Sequence, residues 1–362
     1  MAEVRLCPIL VTRGGVARFN FDTTHVGSVP HATPDGLASR LAKSLDIPAW
    51  TQHPRRSFLE SMYVQYSPSL PAVQVDPRKE KIILNTNQDL APGLEAFYSA
   101  YLADDLEAFA LREEYAGGFF AMLRAAAAAP GEWIKGQVTG PISFGLTVTD
   151  QDLRASLYNE TLADAIVKNT ASAARWQARR LRAVRPNVIV FLDEPYMASF
   201  GSAFISLGRE QVVDYLNEAF DAIHAETALA GVHCCANTDW GVLLATRVDI
   251  LNLDAYGFIE NLALYPLELR GFLDRGGTVC WGIIPNNEQI FSESPAGLAD
   301  RLRTGIRGIV EKAAARGVRL TADEFAKHSL IAPACGLGST TVEVADRVFD
   351  VLSETGRILK GG

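Results

Sequence analysis

Residues 187–195 read NVIVFLDEP, and residues 249–257 read DILNLDAYG. Each stretch contains a nearly continuous apolar run that ends in an acidic residue. Such runs are typical of parallel strands that are buried on both faces of a sheet. The two stretches therefore predict a parallel β-sheet that carries polar groups at its strand ends.

Six further runs of this kind lie along the chain, with amphipathic helical stretches between them. This alternation indicates parallel strands joined by crossover helices. The sequence has no glycine-rich dinucleotide fingerprint and no division into two halves, which favours a single (β/α)8 TIM barrel over residues 1–362 rather than a doubly wound sheet. The eight predicted strands are 24–30, 48–52, 134–140, 187–194, 231–235, 250–257, 278–285 and 330–336.

Two segments are predicted to lie outside the regular barrel. Residues 71–87 read as two strands around the turn Asp76-Pro77-Arg78-Lys79, and they open an insertion of about residues 71–130 after the second strand. Within residues 1–20, the run VRLCPILVTRGGVARF predicts an N-terminal hairpin that closes the bottom of the barrel. Helices are predicted over 33–45, where Thr33 and Pro34 form a capped start, and over 210–229, 295–316 and 341–352.

Composition excludes several classes of function. The chain has 42 acidic and 34 basic residues, a formal charge of −8, and no stripe of Lys or Arg that could neutralise successive phosphates. No run reaches the roughly 20 apolar residues that span a bilayer, and the N-terminus lacks the apolar core of a signal peptide. We therefore expect a cytoplasmic protein with neither a nucleic-acid nor a membrane partner.

The cysteines point to metal binding or to buried thiols. Five cysteines, an odd number with two of them adjacent, do not form the pattern of a disulfide framework. Cys7 and Cys280 do not stand at strand ends beside other polar groups, and Cys234 would face the barrel wall, so we expect all three in the core.

His233, Cys235, Cys335 and Asp254 stand at strand ends, where the catalytic groups of a TIM barrel lie. His233 and Cys235 are two residues apart on one strand, so their side chains point the same way. Across the barrel mouth, Cys335 and Asp254 could complete a tetrahedral set of one nitrogen, two sulfurs and one oxygen. Zn²⁺ is the natural occupant of such a set. Spacing alone leaves buried, metal-free thiols open as the alternative.

At these residues the sequence resembles the cobalamin-independent methionine synthases, within the wider uroporphyrinogen decarboxylase-like superfamily. The resemblance is to the catalytic C-terminal barrel and covers most of the chain. Plain decarboxylases lack the His-x-Cys pair with a late cysteine. The motifs that carry the resemblance are, in order, HVGSVPH, RRSFLESMYVQY, KGQVTGPISFG, FLDEP, GVHCCAN, LNLDAYG and APACGLGSTT.

The resemblance implies a zinc-dependent transfer of a methyl group to the thiol of homocysteine, which gives methionine. His233, Cys235 and Cys335 fall on the family's zinc ligands. The fourth ligand in the family is a glutamate, where this sequence has the shorter Asp254. Three further residues match the family's homocysteine-binding groups. Ser28 falls on the segment that holds the carboxylate of homocysteine. Asp193 falls on an acid that binds its ammonium group, and Glu60 is the weaker match to a second such acid.

Two departures from the family concern the methyl donor. The folate-using members carry a tryptophan after their Thr-Gly-Pro motif and a histidine after the seventh strand, where counting places Thr147 and Ile283. We also expect no counterpart of the extra N-terminal barrel of the long enzymes. The chain is thus similar to the short "core" methionine synthases, which implies methylcobalamin or a methylated corrinoid protein as the donor.

Two alternative functions stay open at the level of sequence. The first is a corrinoid-linked methyltransferase that acts on another thiol, such as a coenzyme M-like acceptor, and has no need of an ammonium-binding acid. The second is a non-catalytic module that binds zinc or a corrinoid partner.

Overall fold

Seven parallel strands form a curled sheet in a TIM-barrel-like fold, as the sequence predicts. The computed structural model describes residues 19–202 and 205–361. The order of the sheet is β1-β9-β8-β7-β6-β5-β4, and a separate pair, β2-β3, is antiparallel. The strands are β1 (Phe19–Thr23), β2 (Val73–Asp76), β3 (Lys81–Leu84), β4 (Trp133–Thr139), β5 (Asn187–Asp193), β6 (Leu229–Cys234), β7 (Ile250–Leu253), β8 (Thr278–Ile284) and β9 (His328–Pro333).

Helices connect the successive strands of the sheet. The longest are α5, α10 and α12, which pack around the outside of the sheet. The helices are α1 (Pro34–Ser44), α2 (Ala91–Leu102), α3 (Gly117–Ala127), α4 (Pro141–Thr147), α5 (Glu160–Arg182), α6 (Arg209–Ala225), α7 (Trp240–Leu244), α8 (Ala255–Phe258), α9 (Pro266–Asp274), α10 (Pro295–Ala314), α11 (Ala322–Lys327) and α12 (Val342–Leu359).

The predicted second strand bridges the two edges of the seven-stranded sheet. On one side, Ala49 pairs in parallel with Lys135 of β4. On the other side, Gln52 pairs with Ser28, in the segment that continues β1. Residues 48–52 are therefore the eighth strand position of the barrel, although they form two bridges rather than a continuous strand.

The sequence places the first strand too late. The predicted strand 24–30 begins after β1, which runs over Phe19–Thr23 and pairs with β9. Most of the predicted N-terminal hairpin, together with Cys7, falls within residues 1–18, outside the described residues. Its last residue, Phe19, is the first residue of β1 and packs inside the barrel.

Helix starts follow the predicted local chemistry, with one difference. α1 begins at Pro34 as predicted, but Thr33 makes no side-chain capping hydrogen bond. By contrast, Ser294 accepts a hydrogen bond from Gly297 N (3.1 Å) at the start of α10, and Thr341 accepts one from Val344 N (3.2 Å) at the start of α12. Proline at the first helical position has no N–H, so the start of α1 has one fewer donor that needs an acceptor.

The antiparallel pair β2-β3 lies where the sequence predicts two strands around a turn. α2 and α3 follow this pair before the chain returns to the barrel at β4. The boundaries of the insertion and the single-domain division stay predictions. No helix among residues 19–202 and 205–361 is both long enough and apolar enough to cross a membrane.

Alternation along the strands produces two apolar layers. On β5, Val188, Val190 and Leu192 join the large core between the sheet and the helices, whereas Ile189 and Phe191 belong to a smaller cluster inside the barrel. This inner cluster fills the lower part of the barrel. The next inward position of β5, at its carboxyl end, is Asp193, where the interior becomes polar.

Candidate metal centre and its cavity

A cavity of about 480 Å³ opens at the carboxyl ends of the barrel strands. Loops after β1, β5, β6 and β9 contribute to its wall, together with residues 52–63. Active sites of TIM barrels lie at this end. The cavity is lined by Val26, Ser28, Gln52, Pro54, Glu60, Ser61, Met62, Tyr63, Asp193, Pro195, His233, Cys235, Cys335, Gly336, Gly338 and Ser339.

Three metal-ligating side chains meet on this wall. One ligand atom each from His233, Cys235 and Cys335 lies within 4.8 Å of the others. His233 is at the end of β6, Cys235 follows directly, and Cys335 comes after β9. As the two-residue spacing predicts, His233 and Cys235 share a face, while Cys234 between them packs into the outer core.

The chemistry of the three donors fits Zn²⁺. The Nε2 atom of His233 is buried and has no hydrogen-bond partner among the residues that the structure describes. The Cys335 thiol and the His233 imidazole lower the pKa of Cys235 to about 4, while the Cys235 thiolate and burial raise the pKa of Cys335. One imidazole nitrogen and two cysteine sulfurs form a soft donor set of the kind that selects zinc.

Asp254 lies outside this group of three. It precedes α8, where its Oδ1 accepts a hydrogen bond from Gly257 N (2.7 Å). Nearby, Tyr256 donates to Glu293 (2.7 Å), and the Arg301 guanidinium lies over the Tyr256 ring, which fixes the loop. Asp254, the fourth donor predicted from sequence, thus caps α8. It lies at the carboxyl end of β7, but it is not among the three clustered ligand atoms.

Asp193 lies in the cavity wall with one oxygen atom unused. The residue is 5% exposed, and Oδ1 has no hydrogen-bond partner within the described part of the chain. Burial raises the pKa of Asp193 to about 6, although the buried ammonium group of Lys135 lowers it. A buried acid in a cavity wall that has an unpartnered oxygen is suited to an external donor such as an ammonium group.

Glu60 also lines the cavity, but its carboxylate already has partners. Arg56 Nη1 lies 2.8 Å from Oε1, and His53 N donates to Oε2 (3.1 Å). Burial raises the pKa of Glu60 to about 7, against the lowering effect of Arg56. The structure therefore places both predicted acids in one cavity. Neither Glu60 Oε1 nor Asp193 Oδ1 accepts a hydrogen bond from the described residues, but Glu60 Oε1 is ion-paired with Arg56.

Ser28 is held against the loop that carries Cys335. Its carbonyl oxygen accepts from Leu337 N (2.8 Å), and Gly338 N donates to its Oγ (3.4 Å). A Cβ atom on Gly336 would lie only 2.2 Å from Ser28 Oγ, so this close approach requires glycine. The predicted carboxylate-binding segment and the last metal-ligand candidate are thus neighbours.

The two positions compared with the folate-using enzymes offer no replacement for the missing groups. Thr147 ends α4, and Ile283 is fully buried in the core between the sheet and the helices. In the cavity wall, as far as the structure describes it, His233 is the only histidine and Tyr63 the only phenol ring. Cys280 is buried inside the barrel, as predicted.

Sequence reasoning missed several polar groups around the cavity. Gln52 ends the predicted second strand, and a tally of strand-end residues could have included it. Tyr63 and Arg56 lie in a loop without regular spacing, so no sequence signal separates them from their neighbours. Lys135 and Asn252 are polar residues within apolar strands, and Lys135 donates to Val26 O (2.9 Å) from inside the barrel.

Comparison with known proteins supports the fold. No protein-family model matches the chain, and no curated protein matches it in sequence. A B12-independent methionine synthase from Shewanella sp. W3-18-1, solved in complex with selenomethionine, is similar with a TM-score of 0.54 and 16% identity, over 94% of this chain and 98% of that one. A methyltransferase from Methanosarcina mazei is similar with a TM-score of 0.53 and 12% identity, over 95% and 96%. These likenesses show a shared fold along nearly the whole of each chain.

Proposed function

We propose that the chain is a zinc-dependent methyltransferase that transfers a methyl group to the thiol of homocysteine. The observation that carries this proposal is the meeting of His233, Cys235 and Cys335 in the same cavity as the unpartnered oxygen of Asp193. A soft-metal site and an ammonium-binding acid in one cavity match the two ends of an amino acid that carries a thiol.

The thiol needs activation before it can accept a methyl group. A free thiol with a pKa near 8.5 is only a few per cent ionised at pH 7. When bound to the three donors, Zn²⁺ supplies the missing chemistry, because a thiol that coordinates it loses its proton. Complete ionisation is worth only about 2 kcal/mol, so positioning of the acceptor must supply more of the rate.

Positioning is the task of the protein groups in the rest of the cavity. Asp193 would bind the ammonium group, and the segment around Ser28 would hold the carboxylate. The wall formed by Met62, Tyr63 and Pro195 would limit the access of water. Asp193 favours homocysteine over the other-thiol alternative, because an acceptor without an amino group would leave its buried oxygen without a partner.

Asp254 and Glu60 enter the proposal with smaller roles. Asp254 would face the metal only through a water molecule or after release of its hydrogen bond to Gly257 N. Glu60 would add negative potential near the ammonium group, reduced by its ion pair with Arg56. Glu60 is buried in the cavity wall, whereas Asp254 is half-buried and is not among the residues that line the cavity.

The proposed donor is a methylated corrinoid, either methylcobalamin or a corrinoid carried by a partner protein. The bond between carbon and sulfur forms as the bond between carbon and cobalt breaks, and cobalt leaves with the electron pair as Co(I). The thiol proton passes to solvent, so no acid is needed at the donor. A folate donor needs protonation of its nitrogen and a surface for its pterin ring, and Thr147 and Ile283 provide neither.

The similar structures support methyl transfer without deciding the donor. The Shewanella protein is a B12-independent methionine synthase, and the Methanosarcina mazei protein is a methyltransferase. Both names agree with an enzyme of methyl transfer. Their low identity to this chain leaves acceptor and donor to experiment.

A side-by-side assay tests the proposed function. Purified, zinc-loaded protein is incubated with homocysteine and, at matched concentrations, with methylcobalamin or methyltetrahydrofolate, and methionine is measured. We expect methionine from methylcobalamin, and zinc-stripped protein as the control should give none. Turnover with the folate alone would contradict the proposed donor. Equal methylation of a thiol that lacks the amino group would favour the other-thiol enzyme. Demethylation of methylcobalamin in the absence of any thiol would contradict both thiol methyltransferases.

A further inference from the structure

Three residues stand side by side across neighbouring strands beneath the candidate metal centre. His233 of β6 is in register with Asn252 of β7, and Asn252 is in register with Cys280 of β8. In parallel strands, residues in register point to the same face of the sheet. The side chain of Asn252 therefore lies inside the barrel, between the ligand-bearing strand and the next strand along.

Two hydrogen bonds hold this asparagine. Its Oδ1 lies 2.6 Å from His233 Nδ1, and its Nδ2 donates to the carbonyl oxygen of Cys280 (2.8 Å). Asn252 is 1% exposed and His233 3% exposed, so water does not compete for these contacts. Both ends of the amide are thus satisfied by neighbours in the barrel.

The hydrogen bond between Asn252 and Cys280 O determines which atom is the donor in the hydrogen bond between Asn252 and His233. A carbonyl oxygen can only accept, so the atom of Asn252 that faces Cys280 must be the amide nitrogen. The amide oxygen then faces His233 and can only accept, so His233 Nδ1 must carry the proton. In the neutral ring this leaves a lone pair on Nε2, the atom that is buried without a partner on the cavity side.

We propose that Asn252 is the positioning residue of the metal centre, fixing both the tautomer and the orientation of His233 so that Nε2 faces the two cysteine sulfurs. This inference rests on the proposed function, because it gives the prepared nitrogen a metal to bind. Partners of this kind, behind a ligating histidine, typically contribute about 10- to 100-fold to metal affinity. Asn252 makes no direct contact with a metal ligand atom, and it acts through the ring of His233.

A matched pair of variants tests the proposal. Asn252→Leu removes both hydrogen bonds beside His233. Asn169→Leu is the control, since Asn169 is 3% exposed and also makes two hydrogen bonds, to Tyr66 O (2.7 Å) and from Ser69 Oγ (2.5 Å), but lies on α5 away from the three donors. Zinc affinity is measured by competition with a chromophoric chelator, and Co²⁺ absorption reports the ligand field.

We expect Asn252→Leu to weaken zinc binding by roughly 10- to 100-fold and to change the Co²⁺ spectrum. Asn169→Leu should leave both at the level of the unmodified chain. Asn252→Asp keeps an acceptor for His233 Nδ1, so it should bind zinc more tightly than Asn252→Leu. A folded Asn252→Leu variant with unchanged affinity would overturn the positioning role.

A second measurement does not depend on the stability of any variant. Long-range ¹⁵N–¹H correlation spectra of the zinc-stripped chain report the tautomer of its neutral histidines. At a pH where the His233 ring is neutral, we expect its proton on Nδ1, and a neutral ring with its proton on Nε2 would overturn the inference. A wild-type chain that binds no zinc would instead contradict the proposed function, while zinc binding without methyl transfer would leave the role of Asn252 intact.

Discussion

The two halves of the cavity differ in how their polar side chains are satisfied. In the metal half, Asn252 holds one side of the His233 ring, Nε2 has no hydrogen-bond partner among the described residues, and one ring nitrogen lies within 4.8 Å of the two cysteine sulfurs. In the amino-acid half, Asp193 has one free oxygen, whereas Glu60 is held by Arg56 and by His53 N. Both halves carry buried polar groups at strand ends or nearby loops.

The difference shows which groups are prepared for a ligand. A buried polar atom without a partner has a large free-energy cost, which a bound ligand can remove. His233 Nε2 and Asp193 Oδ1 meet this condition. Glu60 Oε1 also accepts no hydrogen bond, but its charge is paired with Arg56, and Asp254 accepts a hydrogen bond from Gly257 N.

The largest expected effect is in the metal half. Cys235→Ser and Cys335→Ser should each weaken zinc binding by more than roughly 100-fold, beyond the usual effect of losing an outer partner. Elemental analysis and chelator competition measure this. Cys234→Ala is the matched control, because that neighbouring thiol packs into the outer core. Full zinc retention in both serine variants would refute the ligand assignment.

A smaller effect is expected at the free acid of the amino-acid half. Asp193→Asn should raise the KM for homocysteine by roughly ten- to a hundredfold, the usual value of a charged hydrogen bond in a buried site. Zinc content should be unchanged. A thiol without an amino group provides the control, since its KM should not respond. An unaltered KM for homocysteine would contradict the assignment of Asp193 as the acid that binds the ammonium group.

Asp254→Ala tests whether the carboxylate that caps α8 contributes to zinc binding as much as the three clustered donors do. We expect zinc affinity to fall by less than about tenfold, because water can occupy the fourth position of a catalytic zinc site. The same competition measurement, made beside Cys335→Ser, gives the comparison. A loss as large as that of the cysteine variant would mean that Asp254 binds the metal directly.

The smallest effect is expected at Glu60. Its charge is already balanced by Arg56, so Glu60→Gln should change the KM for homocysteine by roughly threefold at most, the low end of a net hydrogen bond. Steady-state kinetics beside Asp193→Asn test the ranking. If Glu60→Gln were the more damaging of the two, the assignment of the ammonium-binding acid would be reversed.

The parallel strands of the fold could be predicted from sequence, because buried strands leave continuous apolar runs. β5 and β8 lie within their predicted ranges for this reason. The predicted strand 24–30 lies after β1 in the chain. The run 24–30 is as apolar as Phe19–Thr23, but within it only Ser28 forms a bridge. The segment 48–52 is predicted as a strand but forms only isolated bridges, at Ala49 and Gln52.

The metal half could be predicted from spacing, and the amino-acid half only in part. Alternation along a strand places His233 and Cys235 together, and strand-end positions bring in Cys335. No periodicity reveals that Arg56 neutralises Glu60 or that Asp254 caps α8, because these contacts depend on loop geometry. The role of Asn252 depends on the register between strands, which the sequence does not specify.

The proton released when homocysteine binds tests the central claim most directly. Calorimetry at pH 7 in buffers of different ionisation enthalpy gives the number of protons released per molecule bound. We expect about one proton from homocysteine with the zinc-loaded chain, and none with the zinc-stripped chain or with methionine, which has no thiol proton. Binding of homocysteine to the zinc-loaded chain without proton release would contradict thiol activation at this centre.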